Sequence, residues 1–512
     1  MSRKFKTADY DATLDVTVRL GDCLPPEHLA RFVVDMIAHL DLSALYARYG
    51  ARGGQPYAPE LLLGVLFYGY ATGVFSTRKL ERATYETIPF RFIAGNLHPD
   101  HDTLATFRKT FLPELKELFV QVLLLAQVAG VLNLGTISLD GTKIHADASK
   151  SKAVSYKHLL ALEAQLRAEV EQLFALSEAA NQADLPDGMV VSDEIAIRQA
   201  RLARLMEAKA VLEARAKERD ALEQAEYAST LQEREAKAQR SGRTPRGRPP
   251  TPPTPGPRDK DQYNFTDPES RIMKHSSTEG FEQDYNAQVA VDQASMLIVG
   301  ESLSNHPNDQ HEAKPTLDAI PPEVGPVAAA AMDKGYFSAE NIRICEERGI
   351  DPYIATGRDP HHPSWQERFA ALPDPPAADA SPTVTMAYKL KTALGKAIYR
   401  LRKCTVEPVI GIIKDVLGFR QFSLRGELAA AGEWCLVCLA FNLKRLHTLL
   451  LGSVGGRNLR ARTPAVGITR CHMPCTHTSA IGRHRCEIAH ATTIPANGAC
   501  VPQASMFSPT GC

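Results

Sequence analysis

The stretch Thr136-Ile137-Ser138-Leu139-Asp140-Gly141-Thr142-Lys143 decides how this chain is read. Apolar Ile137 and Leu139 alternate with polar neighbours, the period of a half-buried strand. The run delivers Asp140 and meets glycine at once, so the strand is expected to end there, with its carboxylate at the sheet edge and the chain turning away. A second stretch shares the design: apolar Val327 to Met332 leads to Asp333, with Gly335 two residues on. A third acid, Glu407, stands in Thr405-Val406-Glu407-Pro408. Each has an ordinary explanation when taken singly. An aspartate at a strand end caps a turn, and an acid beside a proline suits a helix start. Carboxylates at adjacent strand ends can also converge on one point. Held together they repel unless a divalent cation neutralises them, which points to the oxygen-preferring Mg²⁺, with Mn²⁺ able to substitute.

Outward from these acids, strand-like Tyr285 to Val291 and Met296 to Val299 precede a helical Asp309 to Ala319. Ser338 as N-cap and Gly349 as terminator bracket a further helix, and Asp351 to Thr356 reads as a strand. Strands followed by helix–strand alternation predict an α/β fold with a mixed sheet flanked by helices, spanning 131–156 and 261–452. Residues 1–130 read as an all-helical N-terminal domain, from the runs Leu61 to Phe67 and Leu115 to Leu123. Its polar turns carry Arg78, Lys79 and Arg108, which suits either a helix-turn-helix-like DNA-binding unit or a plain bundle with solvated charges.

Residues 157–240 form a helical insertion. Leu159, Leu162, Leu166, Val170 and Leu173 mark one stripe and Leu202, Leu205 and Leu212 another, with Pro186 and Gly188 between, so a helical hairpin is expected. A basic, proline-dense linker, 241–260, containing Arg243, Arg246 and Arg248, should be extended and mobile. The last segment, 453–512, is rich in Cys and His and reads as a disordered tail. Cys471, His472, Cys475, His477, His484, Cys486 and His490 are zinc-ligand types, but their spacing fits no closed zinc pattern well.

Composition bounds the possibilities. With 59 Lys+Arg against 59 Asp+Glu over 512 residues, there is no bulk pull toward nucleic acid, and any such partner must be read from local patches. Hydrophobic residues at 44% and charged residues at 23% exclude a wholly disordered or collagen-like chain. No apolar run reaches about 18 residues and no basic-then-apolar leader opens the chain, so a soluble, cytoplasmic protein with no membrane partner is expected. Five of the ten cysteines follow residue 470, and the rest are scattered without the density of a disulfide framework.

The order Asp140-Gly141-Thr142-Lys143, then Asp333-Lys334-Gly335-Tyr336, then Tyr399 with Val406-Glu407-Pro408-Val409 and Lys414 resembles the DDE transposases of bacterial insertion sequences. The likeness extends to Arg78-Lys79-Leu80-Glu81, Asp100-His101-Asp102-Thr103 and Phe107-Arg108. It continues through Thr266 to Met273, Tyr285-Asn286-Ala287-Gln288, Gly418-Phe419-Arg420, Arg425-Gly426 and Asn442-Leu443-Lys444-Arg445. It therefore runs from about residue 15 to about residue 450. The resemblance implies an RNase H-like catalytic domain whose acidic triad is Asp140, Asp333 and Glu407. It also implies a Tyr, basic, Glu, Lys signature on Tyr399, Glu407 and Lys414, with Arg402 or Lys403 as the basic member. Ile410 and Lys334 depart from the residues usual in that family.

The implied chemistry is phosphoryl transfer on double-stranded DNA, both the element's terminal repeats and a target, with two divalent ions about 3.5–4 Å apart held by the triad. Lys143, Arg402, Lys403 and Lys414, with Arg78, Lys79 and Arg108, would contact DNA. Pairing of two ends implies a homodimer in the synaptic complex, at work on the bacterial nucleoid. An inactive DNA-binding relic and a metal-dependent nuclease without strand transfer are the alternatives. Deletion of residues 456–512 should leave DNA cleavage nearly unchanged; a large loss of metal-dependent stability in that truncation would instead favour a zinc module in the tail.

Overall fold

The computed structural model describes residues 19–50, 55–179, 189–242, 248–276, 280–357, 372–377 and 380–454. Pro186, Gly188, Arg243, Arg246, the Cys/His positions of the tail and most of the polar stretch 361–382 lie outside the described residues. The N-terminal part comprises α1 (Leu29–Ile37), α2 (Ser43–Ala47), α3 (Pro59–Ala71), α4 (Thr77–Glu86), α5 (Ile88–Ile93), α6 (His101–Thr110) and α7 (Leu112–Val128). Pro sits in the first turn of α3, α5 and α7, where its missing N–H costs nothing. In α3 every residue from Leu62 to Ala71 is buried, as expected of a helix that is apolar all round.

The sheet is built from β1 (Thr136–His145), β4 (Arg271–Ser276), β5 (Gly280–Asp292), β6 (Ile298–Ser304), β7 (Ala329–Met332) and β8 (Asp351–Ile354), while β2 (Ala153–Ser155) and β3 (Gln262–Asn264) form a separate pair. β5 runs antiparallel to β1 on one edge and to β4 and β6 on the other; β1 and β7 are parallel, as are β7 and β8. β1 is therefore central, with antiparallel neighbours on one side and parallel ones on the other. The remaining helices are α8 (Tyr156–Ala179), α9 (Val191–Ser241), α10 (Ala313–Asp318), α11 (Ala339–Glu347), α12 (Pro382–Lys391), α13 (Ala393–Gly411) and α14 (Glu427–Val454). Ser338 caps α11 by accepting from the Asn341 N–H, and Gly349 beyond its end has φ +69°.

Three expectations are corrected. First, β1 does not stop at Asp140 but continues to His145. Gly141 is there for space: a Cβ on it would lie 2.1 Å from Gln288 Nε2 on the paired strand. Second, the N-terminal helices are not a body apart. One hydrophobic core joins Phe67 of α3 and Leu123 of α7 to Val289 of β5 and to Trp434 and Leu439 of α14. Third, the described part of the linker is tied down along α9. Arg219 donates to the Gly256 carbonyl, the Gly256 N–H donates to Asp220, and Arg258 pairs with Glu223. The hairpin itself closes as the leucine stripes suggest, with Leu159 and Leu166 of α8 packed against Leu205 and Leu212 of α9.

Among the described residues only α14 is long and apolar enough to cross a membrane. Its run from Trp434 to Leu439 is buried in the core, which accounts for that composition. Beside it on β6, burial pushes the Glu301 carboxyl up to about 7, against the opposing pull of Lys116. The folded protein thus keeps this proton to about pH 7, whereas an ordinary glutamate releases it near 4.5. Stability should fall as pH rises through that window, by up to ~3 kcal/mol. Glu301→Gln is expected to raise the melting temperature relative to the parent above pH 7 and to lose that advantage toward pH 4.5, as read by thermal unfolding across pH.

Candidate active site

Asp140 lies mid-strand at the centre of the sheet. The β1/β7 register pairs Ser138 with Ala331; carried two residues further, it sets Asp140 level with Asp333, immediately after β7. Asp333 Oδ1 accepts from the Gly335 N–H at 2.7 Å, so the turn that ends the strand also fixes this carboxylate. Glu407 arrives on α13, which runs straight through Pro408 and loosens into a π turn at Ile412–Val416. That helix is pinned to β1 by Thr405 Oγ1 donating to Ser138 Oγ at 3.0 Å, and Gln293 on the adjoining turn bonds both Ser138 and the Ile398 carbonyl.

One guanidinium gathers the site. Arg402 Nη1 donates to Asp140 Oδ2 at 2.9 Å and Nη2 to Glu407 Oε1 at 3.1 Å. Its side chain is 8% exposed, against 48% for Glu407, and it lies over the Tyr399 ring at 5.7 Å. Burial pulls the Arg402 pKa down, but Asp140, Tyr399, Asp333 and Glu407 outweigh it and hold it above its usual value. Burial lifts the Asp140 carboxyl to about 6; Arg402 opposes the rise and the charge of Asp333 adds to it. A cavity of about 430 Å³ opens here, lined by Asp140, Thr142, His275, Glu407, Lys414 and Arg420 among others.

The three acids supply only oxygen donors, the type that Mg²⁺ or Mn²⁺ accepts. Arg402 bridges Asp140 and Glu407, and the charge of Asp333 bears on both Asp140 and Arg402, but the oxygens of the three do not all lie within 4.8 Å of one another.

A fourth carboxylate, Asp309, escaped the sequence reading. Its Oδ1 accepts from Asn286 Nδ2 at 2.8 Å and Gln288 Nε2 at 2.9 Å, and Lys143 Nζ lies 3.5 Å away. Tyr336, fully buried, donates to Gln288 Oε1. The available signal was Asn286 and Gln288, two amides in strand-like Tyr285 to Val291 that need partners once buried.

The expected DNA contacts separate into groups. Arg78, Lys79 and Lys403 are exposed. Lys414 borders the cavity, its amine donating to Thr142 Oγ1 at 3.2 Å and to the Lys143 carbonyl at 3.0 Å. Three others are corrected. Lys143, three residues from Asp140 and so on the other face of β1, is only 14% exposed and paired with Asp309. Arg402 faces the acids rather than open solvent. Arg108 is buried, donating to Tyr70 Oη at 2.7 Å and lying 3.4 Å from Glu433 Oε1 on α14.

Compared with family models, residues 18–110 match a Transposase domain (DUF772) and residues 250–443 match a Transposase DDE domain. No curated protein and no solved structure was found to match the chain. Asp333 and Glu407 fall inside the second match; Asp140 lies between the two, and it is the sheet that brings it to the others. A mixed sheet with a central acidic strand, helices around it and a DDE domain defines an RNase H-like protein. The chain belongs to the DDE transposases of insertion sequences.

Removing Arg108 leaves the Glu433 carboxylate buried without its cation. Arg108→Met is therefore expected to cost about 3–5 kcal/mol in chemical denaturation while leaving DNA affinity of the folded fraction unchanged.

Proposed function

We propose that this transposase cuts the DNA ends of its element and joins them to a target by metal-dependent phosphoryl transfer, with Asp140, Asp333 and Glu407 holding the metal. The observation that carries this reading is the single guanidinium of Arg402 bonded at once to Asp140 and Glu407, acids from opposite ends of the catalytic region. Divalent ions, when bound, supply an activated oxygen nucleophile and stabilise the departing 3′ oxygen. Asp140, bonded to Arg402 and under the charge of Asp333, would hold the metal from the central strand. Asp333 is held by its own turn, and Glu407 stands on a helix pinned to β1. Lys403, Arg78 and Lys79, all exposed, suit phosphate contacts, as does Lys414 at the cavity wall. Work on two DNA ends favours a homodimer in the synaptic complex.

The test is incubation with the element's terminal repeats, Mg²⁺ and a target duplex. Asp140→Asn, Asp333→Asn and Glu407→Gln should each lower cleavage by at least about 100-fold while DNA binding, read by gel shift, stays near the parent value. Undiminished cutting by any of the three overturns its assignment; cutting without joining reduces the activity to that of a nuclease.

A further inference from the structure

We infer that His145, His275 and Asp284 form a second metal site, separate from the acidic triad and suited to a zinc-like dication rather than magnesium. The β1/β5 register sets His145 directly across from Asp284. On the other side, β4 carries an irregularity between Lys274 and Ser276, and the residue at that break is His275. Bulges re-aim side chains, and this one brings a second imidazole onto the same carboxylate. His145 Nδ1 lies 2.8 Å from Asp284 Oδ1 and His275 Nδ1 lies 2.9 Å from Oδ2, with the two rings stacked at 4.1 Å and 20°. One ligand atom from each of the three residues falls within 4.8 Å of the others.

Asp284 is fully buried. A buried carboxylate needs compensation, which the two imidazoles now give it, since the nearby Lys143 directs its amine to Asp309. A dication shared by the three side chains would set a full positive charge there. Two imidazole nitrogens and a carboxylate are a donor set that borderline first-row metals accept and magnesium avoids. Donor atoms 2.8–2.9 Å apart are now at hydrogen-bond spacing; a tetrahedral ion lying about 2.0–2.1 Å from each would spread them by about 0.5 Å. On binding, the Nδ1 protons move to Nε2 or leave to solvent.

The location gives the ion a role. It would clamp β1, β4 and β5 together five residues along the strand from Asp140. His275 lines the cavity that Asp140 and Glu407 line, and His145 lines the adjoining one. Ligand positions not filled by protein would face that groove, open to water or to a DNA phosphate oxygen.

The experiment uses the full chain in excess Mg²⁺, titrated with Zn²⁺ by calorimetry and examined by zinc X-ray absorption. The expected spectrum shows nitrogen and oxygen neighbours at about 2.0–2.1 Å with the outer scattering of imidazole; zinc taken by the tail's cysteines would show sulfur at about 2.3 Å instead. His145→Gln, His275→Gln and Asp284→Asn should each weaken the imidazole-bound equivalent by at least roughly 10–100-fold. Absence of bound zinc, binding through sulfur alone, or unchanged affinity in all three variants overturns the site. The parent spectrum decides the matter even where a variant fails to fold.

Discussion

Acidic side chains from residues 140 and 407 share one corner of this fold because the Arg402 guanidinium bonds both, and the charge of Asp333 bears on the same arginine. Arg402 is buried at a cost that only its acidic neighbours repay, and burial first, then the charge of Asp333, lifts the Asp140 carboxyl against the pull of Arg402. Like charges brought together in a low-dielectric site cannot all stay ionised unless something positive is there. The rest of the catalytic region serves this constraint. β1 carries Asp140 through the middle of the sheet, the parallel register sets Asp333 beside it, and Thr405 fastens the glutamate helix to Ser138.

The helices that precede the sheet are part of the same apparatus. Arg108 and Tyr70 reach Glu433 on α14, the carboxylate that also accepts the Ser423 N–H at 2.8 Å. α14 in turn supports the sheet from below, with Trp434 Nε1 donating to the Gln288 carbonyl at 3.0 Å. Gln288 then orders Asp309 and Tyr336 beside the acids. Buried hydrogen bonds on α14 therefore link the N-terminal helices to β5, the strand paired with β1, and such networks are costly to leave partly satisfied.

Much of this was legible in the residues. The alternation around Ile137 and Leu139, the apolar run before Asp333 and the Ser338–Gly349 bracket each state a local rule that the fold obeys. The leucine stripes of the hairpin likewise name the partners they meet. What stayed hidden depends on long-range pairing. Gly141 looked like a turn because a glycine after an acid usually is one; here the reason is the side chain of Gln288 across the ladder, which no local pattern reveals. Arg108 and Arg402 read as surface cations because arginine usually is exposed, and only the position of Glu433 or Asp140 hundreds of residues away turns them inward. The His145–Asp284–His275 cluster needed both a register and a bulge to assemble, so spacing along the chain carried no trace of it.

The most direct test of the central claim is a crystal structure of the protein soaked in Mn²⁺, with the metal located by anomalous scattering. The account predicts manganese within coordinating distance of Asp140, Asp333 and Glu407 together, with Arg402 withdrawn from Asp140. Manganese elsewhere, with Arg402 still bridging Asp140 and Glu407, would contradict it.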